Sequence, residues 1–305
     1  MTVPVLARRV SDPPHRVAYP LVLSGPDQTP MRPIVGVMLG ILGFALFVPT
    51  IAQLVLRVTW LFRGRPPFEA YRVAAMAYEF PEGLVASHLR LAFLIVIAAA
   101  LVRHLHGRSP VWLVSVQPGF RWRYLLICLL VAVVVLNGVM WASFLFLGAP
   151  GFQSAQPGWP WFLLVIVLFS PLQAAAEEFF FRGYVLQAIG SGVGGAWIGI
   201  AGSALLFAMF HGVQNPALFV DRLAFGLLAG WLVLRTGGLE AGIGAHVANN
   251  LFAFGYGIFT GGVAATKAVT EIGWDKAVVD VASFGLFALA AAWVGTRLNV
   301  ATRTP

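Results

Sequence analysis

The sequence predicts an all-α membrane protein, a bundle of about eight transmembrane helices. Three observations carry that prediction. Of 305 residues, 59% are hydrophobic and only 10% are charged, against about 25% charged in an ordinary soluble domain. The mean hydropathy is +0.83. The apolar residues also fall into runs long enough to cross a bilayer, for which roughly 20 residues are needed. So few charges could not cover the water-exposed surface of a chain this size. A disordered chain is excluded as well, since it would need low hydrophobicity and high charge.

The elements follow in order. Residues 1–33 are polar and rich in Pro and Arg, with Arg8, Arg9, Arg16 and Arg32. They lack the apolar stretch of a signal peptide, so they read as a flexible cytoplasmic tail. Residues 34–150 hold three membrane helices, at about 34–56, 84–102 and 124–148. Residues 151–260 hold four more, the first from Trp161 past 180, then about 195–211, 216–235 and 240–260. Residues 261–305 hold the last helix, about 279–296, and a short tail. Gly and Pro mark the joints, as in Thr236-Gly237-Gly238. The pairs Gly195/Gly199 and Gly226/Gly230 would let helices approach closely.

The net charge is +8 and the pI about 10.4. The basic residues are spread thinly at the ends of apolar runs. That placement suits anionic headgroups and helix orientation, not nucleic acid. With the N-terminus inside, the inner segments hold Arg8, Arg9, Arg16, Arg32, Arg103, Arg108, Arg121, Arg123, Arg235, Arg297 and Arg303. The outer loops hold fewer: Arg57, Arg63, Arg65, Arg72, Lys267 and Lys276. A plasma-membrane protein with a cytoplasmic N-terminus is the expected arrangement. The single cysteine, Cys128, excludes an internal disulfide framework and a cysteine-based metal cluster.

Charges inside apolar runs are costly, about 2.5–3.5 kcal/mol each on insertion scales, and so are candidates for function. The fourth run carries Glu177, Glu178 and Arg182. The fifth ends in Phe207 and His211, and the seventh carries His246, Asn249 and Asn250. Glu178 and Arg182 are four apart and share a helix face, acid first. Glu177 is about 100° around the helix and is left as the reactive carboxylate. Phe207 can pack on His211 and orient it. His246 and Asn250 repeat the four-residue spacing, and each can donate to a developing oxyanion. Asn249 lies off that face and reads as packing between helices. Asp221 and Arg222 read as surface residues without chemistry.

One glutamate, two histidines and an amide suffice to hydrolyse a peptide bond, with Glu177 taking a proton from water. The same Glu177, His211 and His246 could hold a Zn²⁺ ion, since one Glu and two His form a common catalytic zinc set. The residues alone leave both schemes open.

Glu-Glu-x-x-x-Arg, Phe-x-x-x-His and His-x-x-x-Asn, each on its own membrane helix, resemble the motifs of the CAAX prenyl protease and bacteriocin-processing family. The resemblance runs through Glu177 to Tyr184, Phe207 to His211, and Leu234 to Asn250, about a third of the chain. It implies an intramembrane endopeptidase acting on a membrane-associated, prenylated or bacteriocin-like protein or peptide. It implies Glu177 as general base, His211 as its partner in activating water, and His246 with Asn250 as the oxyanion site. Glu178 and Arg182 would support them. The family is usually labelled metalloprotease, though a metal-free glutamate mechanism has also been proposed for it. Some members act as immunity or scaffold proteins without catalysis, which is the alternative reading. Other intramembrane proteases fit less well, because His-Glu-x-x-His and Gly-x-Gly-Asp are absent. A proton-coupled transporter would show related halves, and none is visible.

One geometric tension remains in this reading. His211 falls near the outer end of its helix and His246 near the inner end of its own. Their depths would differ by roughly 10–15 Å at 1.5 Å per residue. Convergence requires a tilted or offset helix, or a Gly-rich 236–244 segment that dips into the membrane beside a water-filled cavity.

Overall fold

A computed structural model describes residues 10–26, 28–29 and 31–305. Among these residues it is a helical bundle without strands. The ten helices are α1 (Met31–Phe62), α2 (Phe68–Met76), α3 (Pro81–Leu105), α4 (Trp122–Leu147), α5 (Trp159–Val193), α6 (Ala196–Met209), α7 (Pro216–Thr236), α8 (Glu240–Thr260), α9 (Gly262–Lys267) and α10 (Trp274–Arg297). All eight expected spans are present as helices. Six of them, α1, α3, α4, α5, α7 and α10, are long and apolar enough to cross a membrane by length and composition. Large apolar side chains such as Leu130, Val134, Leu145 and Trp197 point outward, which suits lipid and not water. The chain is a multi-pass membrane protein.

The remaining two of the eight are special. Helix α6 is apolar but has only 14 residues, about 21 Å at 1.5 Å per residue. Helix α8 has 21 residues but carries the polar groups of the site. Helix α8 lies against α4 and α5, and α6 against α7 and the end of α5. Glycines allow the closest approaches. A Cβ on Gly226 would lie 2.8 Å from the Ala204 Cβ, and one on Gly230 would lie 2.7 Å from the Ile200 Cγ2. The expected small-residue pair on α7 is therefore where α6 and α7 touch.

The polar N-terminal segment differs from expectation. Residues 1–9 lie outside the described residues, but residues 10–26 are no free tail. Tyr19, Val22 and Leu23 are buried, and the Tyr19 hydroxyl donates to the Leu113 carbonyl. The Arg108 guanidinium donates to Ser11, Asp12 and Ser24. The chain's other end joins the same cap, where the Val17 N–H donates to Thr304 Oγ1 at 3.0 Å. Three apolar side chains scattered among prolines are too few to register as a run, yet they suffice to dock the segment.

Candidate active site

The site is built on α5. Pro160 in its first turn fits the missing N–H there, and Gly158 at φ 74° turns the chain into it. The helix is regular through Glu178 and then winds as a π-helix over Phe179–Val185. Such wide turns are frequent at functional sites. The winding change falls directly behind the two glutamates.

Glu178 and Arg182 are both fully buried and paired, Arg182 Nη1 donating to Glu178 Oε1 at 3.0 Å. The guanidinium also lies 3.9 Å from the Phe207 ring centroid and 4.9 Å from that of Phe225. These faces partly compensate its loss of water. The second oxygen of Glu178, Oε2, has no hydrogen bond and faces Gly242, where a Cβ would stand only 3.0 Å away.

His246 of α8 bridges the two acids. Its Nδ1 lies 2.9 Å from Glu178 Oε1, and its Nε2 lies 3.5 Å from Glu177 Oε2. A carboxylate oxygen accepts, so Nδ1 carries the proton and Glu178 fixes the ring's orientation. Glu177 is held by a residue absent from the sequence reading. Gln173, one turn earlier on α5, donates Nε2–H to Glu177 Oε1 at 2.6 Å. Its carbonyl accepts from Asn250 Nδ2 at 2.8 Å. Gln173 thus joins the base to the expected oxyanion donor. Its spacing, four residues before Glu177, was the available signal.

His211 follows the end of α6. Its Nδ1 lies 2.8 Å from the Phe207 carbonyl, which only accepts, so Nδ1 is protonated and Nε2 keeps its lone pair in the neutral ring. The Phe207 ring stands edge-on to both imidazoles, with centroids 4.5 Å from His211 and 6.2 Å from His246. Both imidazoles thus pack against the same Phe207 ring. The 236–244 segment is no irregular dip: α7 ends at Thr236, Gly237 turns at φ 69°, and α8 is helical from Glu240.

Glu177, His211, His246 and Asn250 all line one cavity of about 700 Å³. Two expectations are corrected here. Asn249 lines the cavity instead of packing between helices, and Asp221 and Arg222 line it as well. Glu178 and Arg182 lie behind the wall.

The donor set for zinc is not assembled. Among the described residues no group of three or more His, Cys, Asp and Glu side chains is spaced to hold a metal ion. Nδ1 of His246 is taken by Glu178, and its Nε2 faces Glu177 Oε2 at 3.5 Å. No step below passes through an ion.

Comparison with known proteins falls on this same region. The family model described as type II CAAX prenyl endopeptidase Rce1-like matches residues 157–252. That stretch contains every residue of the site named above. The Bacillus subtilis (strain 168) protein named Uncharacterized protein YyaK is 34% identical over 98 residues, 30% of this chain and 33% of that protein. The chain thus matches about a third of the length of that curated relative. The resemblance read from the three motifs is borne out: residues 157–252 match the Rce1-like family model.

Proposed function

We propose that the protein is an intramembrane endopeptidase that hydrolyses a peptide bond in a membrane-associated protein or peptide. One observation carries the reading: Glu177 of α5, His246 and Asn250 of α8, and His211 just after α6 line one cavity. Gln173 occupies one oxygen of Glu177 and leaves Oε2 as the basic atom. A water there loses its proton to Glu177 while His211 Nε2 accepts from the same water and aims it. The water oxygen attacks the scissile carbonyl carbon. Asn250 spends one amide hydrogen on Gln173 and has the second for the oxyanion. His246 lies beside it, oriented by Glu178. The C–N bond then breaks, and the proton held by Glu177 passes to the leaving nitrogen.

The family match supports a peptidase. A prenylated or bacteriocin-like substrate, a plasma-membrane location and a cytoplasmic N-terminus belong to this proposal too. The test is cleavage of a peptide library by detergent-purified protein, with and without chelator, beside Glu177→Gln. Cleavage that disappears in Glu177→Gln and survives the chelator is expected. Loss with chelator and recovery with zinc would mean that the donors rearrange around an ion. A cellular phenotype that survives Glu177→Gln would instead favour the immunity or scaffold role.

A further inference from the structure

The cavity wall carries three cations that the mechanism does not use, Arg90, Arg222 and Lys267. Arg90 of α3 and Lys267 at the end of α9 both line it. Among the described residues neither forms an ion pair or a side-chain hydrogen bond within the protein, and the Arg90 Nε is buried without a partner. Lys267 Nζ lies 5.3 Å from the Phe254 ring centroid. Burial disfavours the Lys267 charge, Glu177 favours it and Arg90 opposes it. The neighbouring cations differ: Lys276 is paired with Asp280 at 2.8 Å, and Arg222 donates to Gln214 at 2.7 Å.

Two like charges that line one cavity without a carboxylate partner raise the energy of the empty site. An anion between them would lower it. A guanidinium fork beside an ammonium matches a carboxylate, which can accept two parallel N–H bonds from Arg and one from Lys. Gln173 and Glu177 line the same cavity. A peptide anchored by a carboxylate at the cations would extend toward the base.

We infer that Arg90 and Lys267 form a carboxylate-binding subsite that selects peptides bearing an anion near the cleaved bond. The class of ligand rests on the peptidase reading; the subsite rests on the cations and the cavity. The carboxylate can be a free C-terminus or an Asp or Glu side chain, and the test separates these.

Apolar, fluorescently labelled peptides are titrated by anisotropy against purified protein in a Glu177→Gln background, which keeps them intact. Each peptide has a free-acid or amidated C-terminus, with or without one internal Glu. A preference of at least tenfold for a carboxylate-bearing peptide over the uncharged one is expected, and whichever peptide shows it identifies the source. Arg90→Gln and Lys267→Gln should each erase most of that preference without lowering affinity for the uncharged peptide. Arg90→Lys, which keeps the charge, should retain part of it. Equal binding of charged and uncharged peptides, no binding of either, or a preference that persists in the double variant overturns the inference. So does displacement by phosphatidylglycerol vesicles without any peptide preference, which would assign the cations to lipid phosphate. Parallel cleavage assays with Glu177 intact keep the two readings apart. A preference without cleavage removes the peptidase alone, and cleavage without a preference removes the subsite alone.

Discussion

His246 touches both members of the Glu177–Glu178 pair, Glu178 through Nδ1 at 2.9 Å and Glu177 through Nε2 at 3.5 Å. The adjacent acids therefore have different tasks. Glu178 is buried, shared by Arg182 and His246, and inaccessible. Glu177 lines the cavity.

Glu177→Gln and Glu178→Gln should accordingly fail in different ways. The first keeps an acceptor for Gln173 and removes only the base. Cleavage should fall about 10²–10⁴-fold, the usual weight of general base catalysis, with an unchanged melting temperature. The second leaves Arg182 buried without a carboxylate, which costs about 3–5 kcal/mol. Its melting temperature in detergent should fall sharply. Thermal melts and turnover measured on both variants separate the two roles.

Gln173→Leu should lower kcat with little change in KM. It removes a hydrogen bond to the ionised Glu177 and leaves Asn250 without its acceptor. A hydrogen bond to a charged group contributes about 1.5–3 kcal/mol, so a loss of about 10–100-fold is expected. Steady-state kinetics on a cleaved peptide check it. A rise in KM with constant kcat would mean that Gln173 contacts substrate instead of bracing the base.

The positions of the helices were legible because a bilayer demands long uninterrupted apolar runs, and each run became a helix with ends shifted by only a few residues. The motif residues were legible because charge and imidazole in such runs have few structural explanations. By that argument Arg90 and His88 were legible too, inside the 84–102 run, and Gln173 through its spacing to Glu177. What spacing could not reveal were partners far apart in sequence. Asn250 meets Gln173 from 77 positions away, and His246 meets Glu178 from 68. Arg121 read as one more charge at a helix end, yet it is bound to Glu240 across 119 positions.

Arg121 ties four chain segments together. Its Nε and Nη2 meet Glu240 at 2.8 and 2.5 Å, and its Nη1 donates to the carbonyls of Thr236 and Ala301 at 2.7 and 3.1 Å. Glu240 is fully buried. Arg121→Ala strands that carboxylate and should destabilise the fold by about 3–5 kcal/mol. Arg121→Lys should also destabilise it, because an ammonium cannot reproduce the planar fork. Both variants should expose the 298–305 segment to limited proteolysis. Melting temperature in detergent and the rate of C-terminal trimming check this.

His106 should make stability fall in mild acid. The ring is buried just beyond the end of α3, with Nδ1 3.2 Å from Gln28 Oε1 and Nε2 3.3 Å from the Tyr184 hydroxyl. Burial, reinforced by the nearby Arg32 and Arg108, lowers its pKa to about 4, against about 6.5 when unfolded. The fold therefore favours the neutral ring, and between these values the unfolded chain binds more protons. The contribution is fully present above pH 6.5 and is lost as pH falls toward 4, by about 3 kcal/mol. His106→Gln removes the titration. The native protein's melting temperature should fall more steeply than the variant's across that window, and parallel slopes would exclude His106 as the source.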